Sequence, residues 1–205
     1  MAHAFDLKVG GKALDHADKV LIMVHGRGGT AADIIGLSSS LKVDDFAVLA
    51  PQATNHTWYP LSFLAPVAQN QPWLDSALEI IGQTVQVAMD HGIGSENIYF
   101  FGFSQGACLS LEFLAQNARR YGGAVAIIGG VIGQEINRSN YQGDFQQTPI
   151  LLATSDPDFH VPLERVQETA EIFAEMNAAI TTKVFENAGH TIKQAHIDLA
   201  NELVF

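Results

Sequence analysis

The chain has 205 residues, 47% hydrophobic and 16% charged, enough to bury a sizeable core without disulfide or metal staples, and one domain over 1–205 is expected. Eleven Lys and Arg stand against 22 Asp and Glu, so the formal net charge is −11, a field that repels phosphate backbones and excludes nucleic acid as a partner. The single cysteine, Cys108, can close no intramolecular disulfide. No apolar run approaches the roughly 18 residues of a spanning helix, and the N-terminus lacks a signal-like pattern, so a cytoplasmic protein without integral membrane association is expected.

In chain order, the alternating "AFDLKVG" predicts a peripheral strand. "KVLIMVHG" and "FAVLA" are short, continuous apolar runs, the pattern of strands buried on both faces of a parallel sheet. Residues 51–73 have no regular pattern, and a loop of that length in a compact domain is usually functional. Leu74, Ala77, Leu78, Ile81, Val85, Ala88 and Met89 then repeat at helical spacing. "NIYFFGF" is the next buried strand, and 105–120 begins apolar all round, as a central helix enclosed by the fold would. "GAVAIIGG" and "PILLATS" are further buried strands. A helix is expected through Leu163, Val166, Ala170, Phe173 and Ala174, a peripheral strand in "TTKVFENAG", and a last helix with Ile192, Ala195, Leu199 and Leu203 on its apolar face. The alternation predicts an α/β fold, a mostly parallel central sheet with helices on both faces. Oligomeric state is left open, with a homodimer packed through an edge strand or through "GGVIG", 129–133, as one form.

The motif that carries chemistry is "GFSQG", 102–106. A serine in G-x-S-x-G between a strand and a helix is a nucleophile elbow, a turn so sharp that its flanks must be small while the hydroxyl stands in the open above the strand end. A helix N-cap would explain Ser104 alone but not both Gly102 and Gly106. A nucleophilic serine needs a base and a carboxylate that orients it, in the chain order Ser, Asp or Glu, His. "DPDFHVP" at the end of a strand offers Asp156 and Asp158. The Asp-x-x-Val-Pro spacing favours Asp158, which leaves Asp156 to turn chemistry. His190, after "KVFENAG" and before the last helix, fits the base. His196 falls inside that helix and reads as a core or surface residue, and His160 precedes the strand that should deliver the base. The glycine-rich turn "HGRGG", 25–29, suits one half of an oxyanion hole. The backbone N–H of Arg27 and that of Gln105, after the serine, would be its donors, with His25 holding the turn. Trp58, Tyr59 and Phe63 in the long loop are candidates for the wall of an apolar substrate pocket. The Arg27 side chain is expected to be solvated, the alternative being contact with an anionic leaving group.

With "GFSQG", "HGRGG", "DFHVP" and "AGH" in order over nearly the whole chain, the sequence resembles the phospholipase/carboxylesterase family of α/β-hydrolases. The resemblance implies an α/β-hydrolase fold without an inserted lid domain, hydrolysis of short- to medium-acyl carboxylic esters or thioesters, an acyl ester or other small molecule as partner, and neither cofactor nor metal. Against the thioesterase branch, Gly29 stands where Asp is usual and Ala107 where a second Gly is usual, while "NHTWYP" keeps Trp58 and Tyr59 without the acid. These departures weaken a palmitoylated protein or a lysophospholipid as the substrate. A dienelactone hydrolase would carry cysteine at the position of Ser104. A non-enzymatic reading, a ligand-binding protein on a hydrolase fold, would require loss of the Ser, Asp, His set.

Overall fold

A strand whose every residue is apolar needs cover on both faces of its pleat, because successive side chains point to opposite sides. In the computed structural model, which describes residues 2–205, those strands occupy the middle of one seven-stranded sheet. The strands are β1 (Leu7–Gly11), β2 (Val20–Val24), β3 (Ala47–Pro51), β4 (Ile98–Phe103), β5 (Gly123–Ile127), β6 (Pro149–Asp156) and β7 (Ala179–Glu186). Their order is β1-β3-β2-β4-β5-β6-β7, with β1 antiparallel to β3 and every other pair parallel. All residues of β2, β3 and β5 are buried, so both sheet faces are covered there. The alternating runs lie at the edges. β1 is largely exposed, and β7, which pairs only with β6, has no buried residue.

The helices are α1 (Ala31–Gly36), α2 (Val67–Asn70), α3 (Trp73–Asp90), α4 (Gln105–Gln116), α5 (Leu163–Glu175) and α6 (Gln194–Leu203). Thr30 starts α1 with a capping box, its hydroxyl accepting from the Asp33 N–H while Asp33 accepts from the Thr30 N–H. In α4 every residue from Gln105 to Ala115 is buried, the all-round burial its sequence predicts. It stops at Gln116 rather than Arg120, since beyond it Ala118 bridges to Gly143 and the Tyr121 N–H is taken by Thr148.

Three expectations need correction. The buried face of α6 is His196, Ile197 and Ala200, not Ala195 and Leu203. The Lys193 N–H donates to His196 Nδ1 and turns that ring inward, edge-on to Phe185 at 4.4 Å between centroids. The stretch 51–73 is not structureless, for it holds a 3-10 turn (Thr54–His56) and α2. Residues 129–133 are buried and offer no surface to a second copy. A Cβ on Gly129 would sit 2.6 Å from that of Ala107, and one on Gly130 2.9 Å from the Arg165 side chain. Among the described residues no helix is long and apolar enough to cross a membrane.

Candidate active site

β4 gives way to α4 across one residue. Ser104 is held at φ 53°, ψ −119°, a strained conformation that persists only when its surroundings impose it. Its N–H donates to the Ile127 carbonyl at 2.9 Å and its carbonyl accepts from the Cys108 N–H at 3.0 Å. The turn closes because its flanks lack Cβ atoms. One on Gly102 would lie 2.7 Å from Ala107 Cα, and one on Gly106 2.2 Å from the Val24 carbonyl oxygen.

Ser104 occupies the N-cap position of α4, yet its side chain makes no capping bond. Instead Ser104 Oγ lies 2.7 Å from His190 Nε2, and His190 Nδ1 lies 2.8 Å from Asp158 Oδ2. A carboxylate accepts only, so Nδ1–H donates to Asp158. In a neutral ring Nε2 is then the acceptor, and the serine O–H donates to it. Of the two acids in this loop, Asp158, the one that the spacing favours, lies against His190. Asp156 closes β6 with its side chain exposed, and its carbonyl accepts from the Asn187 N–H.

The Asp158 side chain is fully buried. Burial alone would raise its pKa, but the His160 N–H, the bond to His190 and the Val161 N–H outweigh it, and the carboxyl titrates below its usual range. His190 stands on the loop after β7, held by the Gly189 N–H bond to Ser155 Oγ at 2.9 Å and flanked by His160, ring centroids 4.9 Å apart. Nothing in the sequence pattern distinguishes Ser155 from any other strand-end serine.

The turn 25–29 packs on this point. A Cβ on Gly26 would meet Ser104 Cβ at 3.4 Å. His25 is buried, donating through Nδ1 to the Gly26 carbonyl and accepting through Nε2 from the Ala53 N–H, and burial lowers its pKa. Among the described residues neither the Arg27 N–H nor the Gln105 N–H donates to another protein group. The Gln105 side chain, unassigned on sequence grounds, is buried. It accepts from the Trp58 N–H at 2.9 Å and donates to the Tyr59 carbonyl at 2.8 Å, fastening the 51–73 segment to α4. A glutamine amid the apolar start of a buried helix is the signal that would have found it.

A cavity of about 750 Å³ opens over Ser104 and His190, and Tyr59 and Phe63 are among the residues that line it. Trp58 does not reach it. The indole is fully buried behind the wall, tilted over His25 with Nε1–H donating to the His25 carbonyl at 2.9 Å. The Arg27 side chain is not simply solvated. Its guanidinium donates to Thr57 Oγ1, the Pro60 carbonyl and the Leu61 carbonyl. Cys108 also lines the cavity, its thiol pushed up to about 12 by burial, and Phe159 stands on the rim, 99% exposed. Among the described residues no group of His, Cys, Asp and Glu converges to hold a metal ion.

A family model described as Phospholipase/Carboxylesterase matches residues 11–204. The chain belongs to this family. A crystal structure of a family member from Dyadobacter fermentans is 51% identical, covers 100% of this chain and 98% of its own, and superposes with a TM-score of 0.98, and the sheet described above is that of an α/β-hydrolase. A probable carboxylesterase SOBER1-like protein of Arabidopsis thaliana is 25% identical over 145 residues, 69% of this chain and 55% of the relative. Acyl-protein thioesterase 1 of Kluyveromyces lactis is 30% identical over 101 residues, 49% of this chain and 44% of the relative. The chain spans about half the length of these curated relatives.

Proposed function

We propose that this family member is a serine hydrolase that cleaves carboxylic esters, with thioesters as a second substrate class, on acyl groups of short to medium length. The observation that carries this reading is the unbroken chain from Ser104 Oγ through His190 to the buried Asp158 carboxylate, at 2.7 and 2.8 Å, opening on a cavity. As Ser104 Oγ bonds to the ester carbonyl carbon, its proton passes to His190 Nε2. Asp158 holds the ring in the correct tautomer and stabilises the imidazolium. The carbonyl π electrons move onto oxygen, facing the two spare N–H groups of Arg27 and Gln105. Collapse breaks the bond to the alcohol, which leaves with the proton from Nε2. Water, deprotonated by the same nitrogen, then releases the acid and restores Ser104. No cofactor enters these steps.

Initial rates on p-nitrophenyl esters of increasing acyl length, wild type beside Ser104→Ala, test the reading. Turnover that vanishes in the variant and peaks at one chain length is expected. Equal rates in both proteins would refute it, and failure of a fluorophosphonate to label Ser104 would favour a binding protein on the same fold.

A further inference from the structure

The charge around the cavity is at odds with the charge of the protein. Net charge is −11, with 22 acidic residues, yet none of the cavity-lining residues is an Asp or Glu. Asp158, the acid that contacts the cavity-lining His190, is buried and committed to His190 and to two backbone N–H groups. Arg27, a guanidinium cation, lines the cavity. Among the described residues no carboxylate pairs with it, although each of the protein's ion pairs is made by some other cation.

The guanidinium is not spent on the loop it braces. It carries five N–H donors in a fixed plane. Three go to Thr57 Oγ1 and the carbonyls of Pro60 and Leu61, all neutral acceptors that hold its orientation and leave its charge uncancelled. Nε–H and one Nη2–H remain, and Nε and Nη2 lie along the edge that grips a carboxylate in two-pronged fashion. Arg27 and Ser104 line the same cavity, so the anchored charge faces the space over the reacting serine.

Resting on the serine-hydrolase reading, we infer that the cavity selects esters that carry a second, ionised carboxylate, bound by the free edge of the Arg27 guanidinium. The long-range field of a −11 protein opposes an anion, but it is screened over about 8 Å in physiological salt, whereas a direct charge-assisted contact with Arg27 acts at hydrogen-bond distance, well inside that length. Arg27 is thereby a specificity-determining residue through its side chain, separately from anything its backbone does.

The test uses matched pairs that differ only in charge. On the acyl side these are p-nitrophenyl adipate monoester and its terminal carboxamide. On the alcohol side they are 4-carboxyphenyl and 4-carbamoylphenyl butyrate. The readout is the kcat/KM ratio of carboxylate to carboxamide, in wild type, Arg27→Gln and Arg27→Lys, so that differences in intrinsic reactivity cancel between proteins. The expected result is a wild-type ratio at least about tenfold above that of Arg27→Gln in one of the two pairs, with Arg27→Lys between. A ratio unchanged by Arg27→Gln in both pairs overturns the inference. Should Arg27→Gln lose its fold with the brace, inhibition of wild type by adipate and by adipamide decides. Adipate about tenfold more potent supports the inference, and equal potency overturns it. Turnover of the carboxamide esters that depends on Ser104 reports on the hydrolase reading alone, so failure of either reading is seen separately.

Discussion

Gly106→Ala tests the geometry of the turn most directly. A methyl there would lie 2.2 Å from the Val24 carbonyl oxygen and 2.5 Å from that of His25. Ordinary van der Waals contact begins at 3.4 Å, so one neighbour must yield by about 1.2 Å. Neither is a flexible side-chain tip. Both oxygens belong to the backbone where β2 runs into the His25–Gly26–Arg27 turn, in a sheet buried on both faces. Overpacking of this kind costs about 3 kcal/mol, and for a chain of this size that lowers Tm by roughly 6–12 °C. The displaced turn bears the Arg27 N–H, and misplacement by about 1 Å near the chemistry costs on the order of 100-fold in kcat/KM. Gly82→Ala is the control. It lies inside α3, and its methyl would touch only the Phe113 ring at an ordinary 3.6 Å. Helix propensity there favours alanine by about 0.5–1 kcal/mol, so Tm should hold or rise with activity intact. Thermal melts by circular dichroism, with ester hydrolysis on the same samples, give both readouts. A Gly106→Ala protein that melts and turns over like wild type would show that the turn does not depend on the missing Cβ.

Asp158→Asn should lower kcat by about 10³–10⁴, because the amide no longer fixes the His190 tautomer, while Asp156→Asn should leave it within about threefold; the reverse order would transfer the orienting role to Asp156. Burial lowers the pKa of His3, His25 and His196 below 6.5, so below pH 6.5 the unfolded chain binds protons that the folded one refuses. Stability should therefore fall as pH drops from 7 towards 5, by at most about 1.4 kcal/mol per pH unit for each histidine. Urea midpoints that do not move over that range would contradict this sign. Cys108, with its thiol at about 12 and buried, should resist maleimide at pH 7 in the folded protein and react on unfolding, as intact mass would show. Gln105→Leu leaves the Trp58 N–H and the Tyr59 carbonyl without their partner and should cost about 1–3 kcal/mol in urea unfolding. A loss under 0.5 kcal/mol would mean the 51–73 segment is held elsewhere.

The parts of this molecule that could be read from sequence are those where one local pattern suffices. The apolar runs of β2, β3 and β5 announce burial on both faces, and a serine between two glycines at a strand-to-helix junction announces the sharp turn. What escaped reading depends on partners remote in the chain. The 51–73 segment owes its order to Gln105, Arg27 and the Asn70 side chain, which spans the Leu61 N–H and the Ser62 carbonyl. Arg165 looks like a solvated helix residue but is buried, donating to the carbonyls of Val131, Gly133 and Gln134. Glu112 likewise disappears into α4, where burial raises its pKa against bonds from the Ile132 N–H, Gln116 and Tyr141. An aromatic in a long loop suits a pocket wall and an anchor to the core equally, and sequence does not choose between them for Trp58. Its own hydrogen bond to His25 draws it behind that wall instead.

β7 is one of the two edge strands, paired on one side only and without a buried residue, and the loop beyond it carries His190. Ser104, by contrast, rises from the middle of the sheet. Edge segments open at lower free energy than central ones, so a fluctuation that peels β7 away withdraws the imidazole while the serine stays locked in its turn. Heat or denaturant would then silence such an enzyme before the molecule as a whole comes apart. In the proposed mechanism, endurance as a catalyst is set by how firmly β7 and the loop that follows it hold to β6, rather than by the strength of the core.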